Sequence, residues 1–214
     1  MAGESARKTV APPTSLRDAV GGPLGMAETS LPAVAFVIAY TASGSNTNTA
    51  AMVAVGLALV LSLARIVKRE SPIYAMSGLV GVAFAAFVAT RSGRAENFFL
   101  PGLFANAAYA SAFLISLVVR RPLVGIIVAS LDGEGNEWRD NPLRVRAFVR
   151  ATWLWAALFG LRLLVQLPLY LAGAVVALGV AKTAMGLPLF GVGLWLTWLL
   201  VRRHRIPPAA PAQA

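Results

Sequence analysis

The 214-residue chain is 57% hydrophobic, and its mean hydropathy of +0.69 exceeds what a soluble domain of this length usually shows. Its formal net charge is +10, but the basic residues lie between apolar runs, which indicates membrane topology and argues against a nucleic-acid partner. The absence of cysteine excludes disulfides, thiolate catalysis and Cys-ligated metal. We therefore predict an all-α fold, a polytopic transmembrane helical bundle.

The two ends of the chain differ from its apolar middle. Residues 1–20 contain no apolar core long enough for a cleavable signal peptide, and they predict a disordered cytoplasmic arm. Residues 204–214 are mostly proline and alanine after a basic cluster, which predicts a disordered cytoplasmic tail. A transmembrane helical domain is expected over residues 21–203.

Because about 20 helical residues cross the hydrocarbon of a bilayer, the apolar runs predict about six membrane helices. Six crossings place both termini on one side of the membrane. The segments on that side hold 15 Lys and Arg, and the opposite segments hold 3. The positive-inside rule then predicts a multi-pass membrane protein with both termini in the cytoplasm. The predicted helices are 22–43, 50–67, 74–90, 102–119, 152–173 and 181–201.

Two apolar runs are short for a crossing. The first is uninterrupted only over 31–42, so it spans only if it begins near Gly22, carries Glu28 into the membrane and bends at Pro32. A re-entrant or tilted element is the alternative. The second run, 122–131, predicts a short interfacial or re-entrant segment on the cytoplasmic side.

Small residues recur at four-residue spacing in three of the predicted helices. In lipid, apolar side chains gain little by meeting each other, so close backbone approach is a main source of helix association. We predict that these stripes are packing faces, with a pore or ligand lining as the alternative. Their members are Ala50, Ala54, Ala58 and Ser62, then Ser77, Gly81, Ala85 and Ala89, then Ala108, Ala112 and Ser116.

Four tryptophans lie toward the predicted cytoplasmic ends of the last two helices. Their indole rings are amphipathic and favour the level of the lipid headgroups. They predict an interfacial aromatic belt made of Trp153, Trp155, Trp195 and Trp198.

Common catalytic motifs are missing from the sequence. It has no HExxH zinc motif, no Walker lysine loop and no G-x-S-x-G elbow, and its single histidine, His204, lies in the basic tail. We predict no catalytic residue, no metal ligand and no cofactor. A role as an enzyme is therefore less expected than a non-enzymatic one.

One acidic loop, "DGEGNEWRD", interrupts the cytoplasmic side. Oxygen ligands in a glycine-rich loop could hold Mg²⁺ or Ca²⁺, but the spacing does not fit an EF-hand, because Glu137 stands where that loop needs glycine. A solvated turn is the favoured interpretation, and metal-assisted chemistry is the alternative. The candidate residues of this cytoplasmic region are Arg120, Arg121, Pro122, Asp132 and Glu134.

Several polar residues fall inside the predicted membrane helices, and Arg162 is the most costly of them. Ten residues into a helix that begins at Thr152, it lies about 15 Å deep, where a lone Arg facing lipid costs at least about 2.5–3.5 kcal/mol. We predict a buried ion pair with Glu28 and a hydrogen bond to Gln166, which serve structural linkage or, alternatively, a transport or ligand path. Glu96 and Lys182 are expected to pair separately at the opposite face. The candidate intramembrane residues are Glu28, Arg162, Gln166, Asn106 and Tyr109.

Several stretches resemble a family of uncharacterised multi-pass bacterial membrane proteins that is classed only as a domain of unknown function. They are residues 21–40, 97–109, "RRPLVG" at 120–125 and 141–173. More distantly, Arg121, Pro122 and Leu123 with the pattern around Trp153 to Tyr170 are similar to intracellular septation protein A. Neither resemblance supplies a reaction or a catalytic residue. Together they imply an inner-membrane helical bundle that is associated with the cell envelope.

Three classes of function fit these observations. The first is a scaffold or regulator of envelope processes, which contacts membrane lipids and other envelope proteins or a second copy of itself. The second is a small-solute or ion transporter or channel that uses Glu28 and Arg162. The third is an integral membrane enzyme that acts on a lipid or prenyl substrate and depends on the acidic loop.

Overall fold

The computed structural model describes residues 22–68, 72–131 and 135–202, with side chains from residue 30 onward and from residue 76 onward in the first two ranges. Within these ranges the chain is helical and contains no strand, which confirms the all-α prediction. The predicted arm at 1–20 and the predicted tail at 204–214 lie outside the described residues.

The described helices follow one another with short connections. Two 3₁₀ segments, Ala95–Phe99 and Glu137–Asp140, lead into α4 and α6. In chain order the helices are α1 (Gly22–Ala42), α2 (Thr47–Val67), α3 (Pro72–Ser92), α4 (Leu100–Val118), α5 (Leu123–Leu131), α6 (Pro142–Leu171), α7 (Val175–Ala184) and α8 (Leu187–Arg202). With 9 residues, α5 is about 14 Å long and too short to cross a bilayer.

The connections use side chains and glycines that suit sharp turns. The Asn46 side chain caps α2 by accepting a hydrogen bond from the Thr49 amide at 3.0 Å. Asn141 caps α6 in the same way, from the amide of Leu143 at 3.0 Å. The backbone φ is +65° at Gly44 and at Gly173, a conformation that favours glycine.

The longest helix begins earlier than predicted. Hydropathy placed its start at residue 152, but α6 begins at Pro142 and contains 30 residues. The Asn141 cap and a proline in the first turn start a helix well, and the next turns carry arginines that lower the hydropathy without breaking the helix. At about 45 Å, α6 is longer than the roughly 30 Å of bilayer hydrocarbon.

The last predicted helix, 181–201, is two helices in the structure. α7 ends at Ala184 and α8 begins at Leu187, and the two form one apolar stretch over Val175–Arg202. The connection between α6 and α7 contains only residues 172–174. Lys182 lies in the last turn of α7, just before the break between the two helices.

Two apolar cores lie at opposite ends of the bundle. The first core holds Phe36 of α1, Phe98 and Leu178, and it lies beside the turns at residues 43–46, 93–99 and 172–174. We call this the Gly44 end. The second core holds Trp138, Phe148 and Trp155, and it lies beside α5 and the termini of α6 and α8. We call this the Trp138 end.

Only part of the small-residue pattern marks packing faces. The stripe on α2 is confirmed, because all four of its members are buried. On α3, Ala85 and Ala89 are buried, whereas Ser77 and Gly81 are exposed. On α4 the prediction is wrong: Ala108 and Ala112 are exposed, and the buried face of that helix consists of Leu103, Ala110 and Phe113.

The tryptophans divide between the surface and the core. Trp153, Trp195 and Trp198 are more than half exposed, as an interfacial belt requires. Trp155 is 8% exposed, and its indole N–H donates to Thr197 Oγ1 at 3.0 Å. The prediction is wrong for Trp155, which links α6 to α8 inside the second core.

The described residues include 4 helical stretches that are long and apolar enough to cross a membrane. They are Thr47–Val67, Ala95–Val118, Pro142–Leu171 and Val175–Arg202. Two shorter apolar stretches, Ser30–Ala42 and Met76–Ser92, are the parts of α1 and α3 whose side chains the structure describes. The membrane-protein prediction is supported, and the count of about six crossings stays a prediction.

Candidate functional site

The inward face of α6 changes from aromatic to polar along its length. Toward the Trp138 end, Trp155 and Phe159 on this face are buried in the second core. Arg162, Gln166 and Tyr170 follow at spacings of three, four and four residues, so they lie on the same side of the helix. Gln166 is 5% exposed. We call Arg162, Gln166 and Tyr170 the polar face of α6.

Arg162 ties the polar face to the junction of α7 and α8. Its Nη2 donates a hydrogen bond to the Gly186 carbonyl oxygen at 2.9 Å. Its Cζ lies 5.6 Å from the centre of the Phe159 ring. Its Nε is buried and has no hydrogen-bond partner among the described residues. The guanidinium therefore keeps one buried donor that a further acceptor could use.

The junction between α7 and α8 is built by a glycine and a proline. Pro188 has no N–H and cannot donate to the carbonyl of Ala184, which interrupts the helical ladder. A Cβ on Gly186 would lie 2.9 Å from the Lys182 carbonyl oxygen and 3.2 Å from that of Thr183. Glycine is therefore required where the chain turns between the two helices.

A chain of hydrogen bonds connects the polar face to the Gly44 end. The Tyr170 hydroxyl donates to Asn97 Oδ1 at 2.6 Å. Asn97 Nδ2 in turn donates to Ser92 Oγ at 2.8 Å, at the end of α3. Asn97 is 9% exposed, so this polar chain runs from inside the bundle toward the surface of that end.

Glu96 and Lys182 do not pair, contrary to prediction. Glu96 Oε1 accepts from Arg94 Nε at 2.6 Å, and this carboxylate raises the pKa of the Arg94 guanidinium through the hydrogen bond and its negative charge. Lys182 Nζ instead lies 5.4 Å from the centre of the Phe99 ring and 5.9 Å from that of Phe98. The nearer partner along the chain takes the carboxylate, because Arg94 precedes it by two residues.

The other predicted intramembrane residues do not join the polar face of α6 in the described part of the chain. Tyr109 is 54% exposed and its ring lies 5.1 Å from that of Phe159, while Asn106 is half-buried one turn earlier on α4. Gln166 makes no hydrogen bond to Arg162 among the described side chains, so that expected contact is not formed. The side chain of Glu28 lies outside the described residues, and its ion pair with Arg162 stays a prediction.

The predicted cytoplasmic residues form part of the Trp138 end. Arg120 and Arg121 are exposed in the turn after α4, where φ is +57° at Arg120. Pro122 is buried, and its carbonyl accepts from the amides of Gly125 and Ile126 at the start of α5. Asp132 and Glu134 lie outside the described residues. The described part of the chain contains no group of His, Asp and Glu side chains that could hold a metal ion.

Comparison with known proteins places the chain in a family. A family model described as "Protein of unknown function (DUF3159)" matches residues 20–208. The chain belongs to this family. The resemblance to an uncharacterised family is thereby confirmed, whereas the distant likeness to septation protein A stays a prediction. No curated protein and no solved structure matches this DUF3159 chain.

Sequence reasoning on this DUF3159 chain found Arg162 and Gln166 but missed the partners around them. The i, i+4, i+8 spacing of Arg162, Gln166 and Tyr170 was readable and would have extended the polar face by one turn. The hydrogen bond between Asn97 and Tyr170 joins residues 73 positions apart, so no local sequence pattern predicts it.

Proposed function

We propose that this DUF3159 chain is an inner-membrane protein with six crossings and both termini in the cytoplasm. The 21-residue lengths of α1 and α3 support two crossings beyond the four apolar stretches, since each is long enough to span. The 15 to 3 distribution of Lys and Arg supports a cytoplasmic Trp138 end.

Within that arrangement, the polar face of α6 binds a small anion and lets it pass. The observation that carries this function is the polar face of α6, which begins at Arg162 and whose Tyr170 is joined by hydrogen bonds to Asn97 and Ser92 at the surface. Arg162 lies nine residues before the end of α6 at Leu171, about 14 Å deep, close to the middle of a bilayer. Ionisable residues at that depth are costly and mark ion or substrate paths.

The break between α7 and α8 supports the same function. Binding sites of many transporters lie where a membrane helix is interrupted, because the freed backbone groups can contact the solute. Arg162 contacts this break directly through Gly186. An interrupted helix beside a mid-membrane cation is the arrangement that a solute site requires.

The charges favour an anion as the solute. Arg162 and Lys182 both lie inside the bundle, and no described carboxylate lies within ion-pair distance of either one. Glu96, which directly precedes Asn97 in the chain, is already paired with Arg94. The Nε of Arg162, which has no hydrogen-bond partner among the described residues, can give such a solute a charge-assisted hydrogen bond.

Flux in liposomes tests this function. We expect purified protein to conduct at least one of chloride, inorganic phosphate or acetate above the rate of protein-free liposomes. Arg162→Gln should abolish that flux, and Arg162→Lys should retain part of it, because lysine keeps the charge but loses the planar guanidinium. Thermal melting of each variant shows whether it is folded. Equal flux in folded wild type and Arg162→Gln would contradict the function.

A second candidate is a scaffold or regulator of envelope processes, as the sequence suggested. The exposed small residues Ala108 and Ala112 on α4 favour it, since they leave a helix face on which another membrane helix could approach closely. Co-purification of the same envelope proteins with wild type but not with an Ala108→Leu, Ala112→Leu variant would support this role. A role as an enzyme depends on Asp132 and Glu134 and stays a prediction.

A further inference from the structure

A groove with two arginines opens between α6 and α8 at the Trp138 end. It has a volume of about 370 Å³ and lies between the first turns of α6 and the last turns of α8. Arg146 and Arg150 stand on one side, and Leu154, Leu196 and Leu199 line the apolar part. The volume falls in the range of small-molecule sites, and the groove lies far from the polar face of α6.

The two arginines are spaced to act together on one anionic group. Arg146 and Arg150 are one helical turn apart, which places both side chains over the same side of α6. Both are exposed, and neither forms a hydrogen bond or an ion pair with the described residues. The groove therefore presents positive charge that the described part of the chain leaves without a counter-ion.

The position of the groove along the bundle matches the lipid headgroups. Because α6 is about 15 Å longer than the hydrocarbon is thick, its first turns extend into the headgroup region. Trp153 and Trp198 are more than half exposed at this level, and Arg202 lies 4.3 Å from the Trp198 ring. Exposed tryptophans with arginine are typical of the membrane interface.

The leucines continue from the arginines toward the hydrocarbon. Leu154 is one turn further into the bundle than Arg150, and Leu196 is one turn further in than Leu200. A ligand that fills this groove thus needs a negative group next to an apolar chain. An anionic phospholipid has that shape, and basic grooves between helices on the cytoplasmic side suit such headgroups.

We propose that the groove between α6 and α8 binds one anionic phospholipid of the leaflet at the Trp138 end. Arg146 and Arg150 hold the phosphate, and an acyl chain follows Leu154 and Leu196 into the bilayer. This site requires only that the chain is inserted in a membrane, so its test is independent of anion passage at Arg162.

Native mass spectrometry of the full chain in neutral detergent measures the binding directly. The probes are phosphatidylglycerol, phosphatidylcholine and inorganic phosphate, each added over a range of concentrations. We expect one phosphatidylglycerol to bind more tightly than phosphatidylcholine. Arg146→Gln with Arg150→Gln should weaken phosphatidylglycerol binding about 25-fold, since each arginine near the surface contributes roughly fivefold.

Three further variants separate the possible outcomes. Arg120→Gln with Arg121→Gln removes the same charge from the same end outside the groove, and it should leave binding within twofold. Arg146→Lys with Arg150→Lys keeps the charge and should retain most of the affinity, which guards against loss of folding. Leu196→Trp fills the apolar part, and it should weaken phosphatidylglycerol but leave any phosphate binding unchanged.

Some results would overturn the lipid site. Equal weakening by the Arg120, Arg121 control pair would mean that only the general surface charge attracts the lipid. Inorganic phosphate that competes at the same concentration as the lipid would identify a site for free phosphate. Equal affinity for phosphatidylglycerol and phosphatidylcholine would show that the two arginines do not select an anionic headgroup.

Discussion

Replacing Gly179 by alanine tests the contact between α1 and α7. Gly179 is buried, and a Cβ built there would overlap Val37 Cγ2 and lie 3.4 Å from Val37 Cβ. Overpacking of this kind costs about 1–3 kcal/mol, which the better helix propensity of alanine offsets by about 0.5–1 kcal/mol. The middle of these two ranges gives a net loss of about 1 kcal/mol in the free energy of unfolding.

Thermal melting of the purified protein in detergent measures this change. For a chain of this size, 1 kcal/mol corresponds to about 2–4 °C, so Gly179→Ala should lower the Tm by about that amount. Gly160→Ala on α6 is a matched control, because nothing lies within 4 Å of a Cβ at that glycine. The control should melt at the wild-type temperature or slightly above it.

A second substitution decides whether Val37 is the cause. Val37→Ala removes the methyl groups that the new Cβ would meet, so the double variant should be more stable than the sum of the two single changes predicts. The expected coupling is about 1 kcal/mol or more. Additive losses, or an unchanged Tm for Gly179→Ala, would refute the packing of α1 against α7.

The remaining predictions concern the hydrogen bonds of the Gly44 end and the topology. Tyr170→Phe should cost about 0.6–1.5 kcal/mol in melting experiments. The double variant with Asn97→Ala should lose less stability than the sum of the two single changes, because both changes break the same bond; additive losses would show that the bond contributes nothing. A reporter that is active only outside the cytoplasm should be active after Asn46 or Gly93 and silent after Lys68, Asn136 or Arg205. Activity after Asn136 would overturn the arrangement of the crossings, and silence after Asn46 alone would make α1 re-entrant.

Hydropathy identified the class of the fold because membrane-spanning helices must bury their backbone groups in apolar stretches of fixed length. It misplaced the start of α6 because Arg144, Arg146 and Arg150 lower the hydropathy of turns that are nevertheless helical. It also missed the break at Gly186, although the nearby Pro188 was a readable signal. Hydropathy measures the environment of a segment and is insensitive to a two-residue interruption within an apolar run.

The small-residue stripes show a second limit of sequence reasoning. Ala50 and Ala54 are buried as predicted, whereas Ala108 and Ala112 on α4 are exposed. The four-residue spacing is the same in both helices. Spacing shows which residues share a face, but only the neighbouring helices determine whether that face is covered.

The candidate site was predictable only where its residues lie on one helix. Arg162 was recognised because its charge is costly in the membrane, and Gln166 because it is one turn away. Gly186, Asn97 and Ser92 come from other segments, and their contribution depends on how α3, α6 and the junction after α7 pack. A single sequence contains no direct measure of that packing.

The accessibility of the polar face to water tests the central claim most directly. The chain has no cysteine, so single cysteines can be placed without background. Gln166→Cys and Tyr170→Cys lie on the polar face, whereas Leu164→Cys replaces a side chain that is 73% exposed on the outer surface of the bundle. In membranes, a charged, membrane-impermeant thiol reagent should modify the Gln166→Cys and Tyr170→Cys variants much faster than the Leu164→Cys variant. The anion that the protein conducts in liposomes should slow the modification of the first two variants. Modification of the Gln166→Cys variant no faster than that of the Leu164→Cys variant would contradict the passage of an anion along the polar face of α6.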